Sequence, residues 1–139
     1  MINLQNFRML RIAKGLTQTA LAKKIHSNAG YISLIEHEKV IPSFEFINRV
    51  AKGLDCQVIT YYCITIAGKQ LKLSLKALRK LRRVTQQDIA DICICDKSQI
   101  SQAEGGKILP SLRLLENIGR ALRCEIQIMF AFDIVNFKI

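Results

Sequence analysis

The sequence predicts a mainly α protein of two similar helical units, each followed by a strand, and three observations predict it. The stretch from Thr85 to Lys107, TQQDIADICICDKSQISQAEGGK, places Ile89, Ala90, Cys93, Ile100 and Ala103 at helical period. A polar break at Cys95-Asp96 splits it into two runs too short to be stable alone, so it reads as two short helices and a tight turn. Sliding the chain back from residue 78 to residue 10 then brings Leu10-Arg11, Thr17-Gln18, Ala22, Ile32-Ser33, Glu36, Lys39, Pro42-Ser43, Leu54 and Cys56 onto identical residues without a gap. The chain is therefore a tandem repeat. Finally, each copy ends in a run rich in β-branched and aromatic residues, CQVITYYCITI from Cys56 to Ile66 and CEIQIMFAF from Cys124 to Phe132.

The repeat divides the 139 residues into two units, 1–67 and 68–139. Half of the residues are hydrophobic, enough for two helical cores, and the net charge of +10 with a pI near 9.7 calls for an anionic partner. Between nucleic acid and a membrane surface, the membrane is the poorer candidate. No apolar run approaches ~20 residues, and the first residues lack the charged start and apolar core of a signal peptide. A cytoplasmic, nucleoid-associated protein is expected. The five cysteines include Cys93 and Cys95, which lack the paired spacing or nearby histidines of a zinc site. Reduced, mostly buried thiols are expected, with no metal and no cofactor.

In order, Asn6 is placed to cap a first helix carrying Phe7, Leu10, Ile12 and Ala13, ended by Lys14-Gly15. Thr17 caps a second helix with Leu21, Ala22 and Ile25, His26-Ser27 is the turn, and Asn28 caps a third helix with Ile32 and Ile35. Pro42-Ser43 is a stop and restart, after which a fourth helix is expected to bury Phe44, Ile47, Val50, Ala51 and Leu54. Ala67 to Gln70 breaks the strand, and the stretch to Ser74 is the one linker-like segment. The second copy repeats this plan with helices over Leu75 to Arg83, Gln86 to Cys93, Lys97 to Glu104 and Leu112 to Leu122. From Lys69 to Arg83 stand Lys69, Lys72, Lys76, Arg79, Lys80, Arg82 and Arg83 with no acid, read either as a solvated face or as a surface for backbone phosphates.

The pattern L-R-x5-TQ-x3-A-x9-IS-x2-E-x2-K-x2-PS, present at Leu10 to Ser43 and again at Leu78 to Ser111, resembles the Cro/cI/Xre type of helix-turn-helix. The resemblance covers about Phe7 to Leu54 and Leu75 to Leu122. It implies two lambda-repressor-like helix-turn-helix units, joined by a small antiparallel β ribbon made from the strand after each unit. It also implies that the third helix of each unit enters the major groove of double-stranded DNA, and that Arg11 with Glu36, and Arg79 with Glu104, form internal ion pairs rather than catalytic ones.

The N-terminal end of a recognition helix faces base edges. In the second unit that end holds Lys97, Ser98 and Gln102, with Gln99 and Ser101 beside them; lysine can donate to guanine and glutamine can pair with adenine. In the first unit the matching positions are Ala29, Gly30 and Leu34 behind the cap Asn28, flanked by Tyr31 and Ser33, a largely apolar surface. Gln18 and Gln86 resemble the family's phosphate contact at the start of the second helix, and Lys39 and Lys107 stand where phosphate ligands are expected.

The resemblance implies a sequence-specific transcriptional regulator, a repressor of bacterial or phage type, with no enzymatic activity. Its expected form is a pseudo-symmetric chain on an imperfect palindrome, with the two strands paired antiparallel and Val58, Ile64, Ile126 and Ile128 packed over the helices. The apolar end from Phe132 to Ile139 either extends that sheet or brings about self-association. The strand after the last helix also resembles antitoxins of HipA-kinase systems, which gives a second reading with a toxin protein as partner. A third is a helix-turn-helix turned protein-interaction module.

Overall fold

The computed structural model describes residues 2–106 and 109–131. In chain order they form β1 (Ile2–Gln5), α1 (Phe7–Ala13), α2 (Gln18–Lys24), α3 (Ala29–Glu36), α4 (Phe44–Gly53), β2 (Gln57–Ile66), β3 (Lys69–Leu73), α5 (Leu75–Leu81), α6 (Gln86–Cys93), α7 (Lys97–Gly105), α8 (Leu112–Leu122) and β4 (Glu125–Ala131). Lys107 and the stretch from Phe132 to Ile139 lie outside the described residues, so the expectations placed on them have no structural counterpart here.

The packing divides the chain differently from the cut between residues 67 and 68. Among the described residues, one compact unit, here the N-terminal unit, comprises Leu4–Val58 together with residues 129–131; the other, the C-terminal unit, comprises residues 2–3, 59–106 and 109–128. The strand following the first repeat thus belongs, from Ile59 onward, to the unit of the second repeat.

In the N-terminal unit the helix starts follow the sequence signals. Thr17 Oγ1 accepts from Ala20 N–H at 3.0 Å, Asn28 Oδ1 from Tyr31 N–H at 2.8 Å, and Ser43 Oγ from Phe46 N–H at 3.2 Å. Leu10, Leu21, Ile32, Ile47 and Val50 fill the core. Three expectations fail here. Asn6 makes no capping bond: its backbone is left-handed, and its side chain instead clamps Phe130, donating to the carbonyl at 2.8 Å and accepting from the N–H at 2.9 Å. That clamp satisfies both backbone groups of a buried residue whose ring lies 6.0 Å from Phe7. Phe46 takes the core place expected of Phe44, sitting between Phe7 at 6.3 Å and an edge-on Tyr31 at 5.0 Å. Ile12, expected on the apolar face of α1, is 57% exposed.

In the C-terminal unit Ser74, Thr85 and Ser111 cap α5, α6 and α8 as expected. Thr85 and Asp88 cap each other, and the Thr85 backbone N–H, followed by its hydroxyl, holds the Asp88 carboxyl below the usual carboxylate range. Leu78, Ile89, Ile100, Leu115 and Ile118 are fully buried. The sheet has the order β1-β4-β2-β3, so the two strands that follow the repeats are neighbours within it. Ile64, Ile126 and Ile128 are buried as expected, and Val58, in the N-terminal unit, is half-buried.

The supposed linker is a hairpin. Ala67 and Gly68 both have positive φ, 52° and 77°, and join Ile66 to Lys69 as the last pair of an antiparallel ladder running back to Tyr62 and Leu73. Two left-handed residues are what a two-residue hairpin with native twist requires. The break in the β-branched run therefore reverses the strand instead of ending it. β3 is an edge strand, and Lys69 and Lys72 on it oppose edge-to-edge pairing with other chains. Lys72 lies 5.9 Å over the Tyr61 ring, and Tyr62 is buried, so both tyrosines serve the sheet.

At the C-terminus of α6, Ile94 is left-handed with φ 53° and is 92% exposed. An L-residue there costs about 1–2 kcal/mol, worst when β-branched, and glycine returns about 0.5–1 kcal/mol of that as unfolded-chain entropy. Ile94→Gly is expected to stabilise the protein by about 0.5–1 kcal/mol in urea unfolding. Destabilisation would show that the side chain has a partner.

Candidate nucleic-acid interface

The site is built twice from the same parts. In each pair of helices, α2 with α3 and α6 with α7, the first helix buries a small alanine, Ala22 in α2 and Ala90 in α6. The turn between them follows one pattern in both copies: the middle residue, His26 or Ile94, is left-handed. The next residue then donates its N–H to that alanine's carbonyl, Ser27 to Ala22 at 2.7 Å and Cys95 to Ala90 at 3.0 Å.

An ion-pair network ties the third helix to the first two. Arg11 Nε donates to Glu36 Oε1 at 2.8 Å and Arg11 Nη1 to the Leu16 carbonyl at 2.8 Å, while Gln18 Nε2 donates to Glu36 Oε2 at 2.7 Å. The second copy is the same: Arg79 pairs with Glu104 and reaches the Val84 carbonyl at 3.2 Å, and Gln86 Nε2 donates to Glu104 Oε2 at 2.7 Å. Both carboxylate oxygens are thereby satisfied in a place nearly closed to water, with the Glu36 side chain only 2% exposed. The arginine–glutamate pairs match the sequence expectation. The role of Gln18 and Gln86 within them was not anticipated, because sequence spacing alone does not show which way an amide turns.

The remaining candidates divide into committed and free side chains. Asn28 is engaged as a cap, and Tyr31 packs on Phe46. Gln99 accepts from the Asp96 backbone N–H at 3.1 Å. Ser33 stands 3.4 Å from the His37 ring, which also contacts the Ser33 carbonyl at 2.8 Å. What α3 leaves outward is Ala29 and Gly30 at its start, and Leu34, 45% exposed. Lys39 follows, exposed just beyond the helix. On α7, by contrast, Lys97, Ser98, Ser101 and Gln102 are all exposed and make no side-chain hydrogen bond among the described residues.

The basic run from Lys69 to Arg83 also divides. Arg79 is in the ion pair, and Arg82 donates to the Leu122 carbonyl at 3.1 Å and the Arg123 carbonyl at 3.5 Å, closing the end of α8. Lys69, Lys76, Lys80 and Arg83 remain exposed.

A family profile described as Helix-turn-helix matches residues 7–59, and one described as Helix-turn-helix domain matches residues 71–126. The chain carries two helix-turn-helix domains in tandem. In helix-turn-helix terms α2–α3 and α6–α7 are the paired helices, and α3 and α7 are the helices in the recognition position. Matches of this kind support a DNA-binding protein. No curated protein and no solved structure matches the chain significantly. No helix among the described residues is long and apolar enough to cross a membrane, and none of their His, Cys, Asp and Glu side chains gather in threes as a metal would need.

Removing one partner of a buried pair leaves the other charge uncompensated. Glu36→Ala is therefore expected to destabilise the protein by about 3 kcal/mol in denaturant unfolding, by stranding both Arg11 and Gln18. A cost below about 1 kcal/mol would mean that the network is solvated like a surface pair.

Proposed function

We propose that the protein is a sequence-specific, DNA-binding transcriptional regulator acting as a repressor, with α7 carrying most of the base discrimination. The observation that carries this reading is the uncommitted polar surface of α7. Lys97, Ser98, Ser101 and Gln102 are exposed at the end of the helix that meets base edges, with their donors and acceptors unspent. α3 offers Ala29, Gly30 and Leu34 there, which can lie against thymine methyl groups but bring no polar side-chain atom. The operator is then an imperfect palindrome with two unequal half-sites. Affinity comes from the general positive charge, with Lys39, Lys107 and the exposed lysines around α5 as phosphate contacts that do not choose sequence. Gln18 and Gln86, each with one N–H given to a glutamate, contribute to phosphate binding through their remaining donor.

Selection of bound sites from random duplexes tests this. Gln102→Ala is expected to relax preference at one base pair and to cost about 1–3 kcal/mol on the selected site, with Leu34→Ala costing less. A dominant effect of Leu34, with Gln102 silent, would reverse the assignment.

A further inference from the structure

The two copies of the inter-helix turn differ in their chemistry. The first reads Ile25-His26-Ser27 and the second Cys93-Ile94-Cys95. Both adopt the same backbone, with a left-handed middle residue and the same N–H bond to the buried alanine. The turn is thus satisfied by isoleucine and serine, and the fold does not require the two thiols. Cys93 is buried and Cys95 partly open, both are free, and both line one open groove with Gln99, Ser111 and Arg113.

The left-handed conformation of Ile94 is the mirror image of a helical one. It sets the flanking Cα atoms about 5.4 Å apart, as for residues two apart in a helix. Disulfides are found at Cα separations of about 4.4–6.8 Å, so this turn already has the required span. Burial, with Cys95 beside it, pushes the Cys93 thiol up; burial and the charge of Asp96 do the same to Cys95. Both rest as thiols at neutral pH. A second pair, Cys63 and Cys124, shares another groove, but both are buried and burial pushes Cys124 up to about 11.

We propose that Cys93 and Cys95 are an oxidisable dithiol, closed to a disulfide by hydroperoxides, that sets the aim of α7. The more open Cys95 loses its proton to solvent and attacks the peroxide; an S–O bond forms, the O–O bond breaks and an alcohol leaves. The Cys93 sulfur then attacks the Cys95 sulfur; the S–S bond forms, the S–O bond breaks, and water leaves with the second proton. Two thiols are oxidised by two electrons and one hydroperoxide is reduced. The ring encloses a β-branched, left-handed residue, and strained disulfides of this kind are readily reduced again. Closing it draws the two Cβ atoms to about 3.8 Å. The turn must shift immediately before Asp96, which starts α7.

The covalent step stands independently, while its consequence rests on the proposed DNA reading of α7. The full chain is treated with tert-butyl hydroperoxide, alkylated, and mapped by peptide mass, and its binding to a selected duplex is measured in parallel. The expected result is a loss of two hydrogens in the peptide holding residues 93–95, restored by dithiothreitol, with duplex binding weakened about tenfold, as for loss of a base contact. The double variant Cys93→Ile, Cys95→Ser restores the first copy's turn chemistry and is expected to bind duplex like the parent and ignore the oxidant. A disulfide mapped to Cys63 and Cys124, or oxidation of single thiols only, would overturn the site. A mapped disulfide with unchanged binding would overturn its effect on α7. If the reduced protein binds no duplex, the reading of α7 fails while the mass map still judges the dithiol.

Discussion

One buried carboxylate in each unit fixes where the helix in the recognition position lies. Glu36 and Glu104 sit at the far ends of α3 and α7, and each receives an arginine from the unit's first helix and a glutamine from the start of its second. The described helices run from seven to eleven residues, lengths that do not hold in water by themselves, so their directions are set by contacts between them. Apolar packing around Leu10, Leu21 and Ile32, or Leu78, Ile89 and Ile100, supplies attraction without direction. The ion pair supplies the direction: an arginine and a glutamine from two helices converge on the two carboxylate oxygens of a glutamate on the third, in nearly dry surroundings. A shift of α3 or α7 would leave a buried charge partly unpaired, which costs more than the loss of an apolar contact.

On this common frame the two units spend their polar groups differently. Asn28, Gln18 and Ser33 in the first unit, and Gln86 and Gln99 in the second, have side-chain atoms engaged inside the unit. After that, α3 presents a nearly apolar face and α7 a set of unspent donors and acceptors. The divergence extends to the turn, where Ile25 and Ser27 correspond to Cys93 and Cys95 while the backbone path is the same. The repeat thus serves as an internal control, since what both copies keep is scaffold and what they change is free to differ.

Much of this was legible because it is local. Caps at Thr17, Asn28, Ser43, Ser74, Thr85 and Ser111, and the restart at Pro42 and Pro110, depend on residues within one turn of each other, and the repeat shows the threonine cap and the Pro-Ser restart twice. What escaped the sequence is decided over long distances. Asn6 has a capping residue's identity and position, yet its partner is Phe130, far along the chain. β1 is four residues with no strong strand pattern, and it becomes a strand by lying beside β4. The hairpin at Ala67-Gly68 reads in the sequence as a break because alanine seldom takes a positive φ, which hides a two-residue turn. Phe44 and Phe46 both fit an apolar face at helical spacing, and Phe7 and Tyr31 decide between them. At the interface the outward positions were visible, but which side chains were already bonded, such as Gln99 to Asp96, was not.

On the proposed reading, the common scaffold is separable from the surfaces that α3 and α7 present, and those surfaces set the difference in sequence preference between the two units. Transplanting the α7 surface onto α3 by Ala29→Lys, Gly30→Ser and Leu34→Gln tests it most directly. These positions lie outside the ion-pair network, and at Gly30 an added Cβ would meet only the Asn28 side chain, at 3.3 Å. Site selection with this variant is predicted to give an operator whose weaker half-site acquires the preference of the stronger one, with the protein still folded. An unchanged, unequal operator from a folded variant would contradict the account.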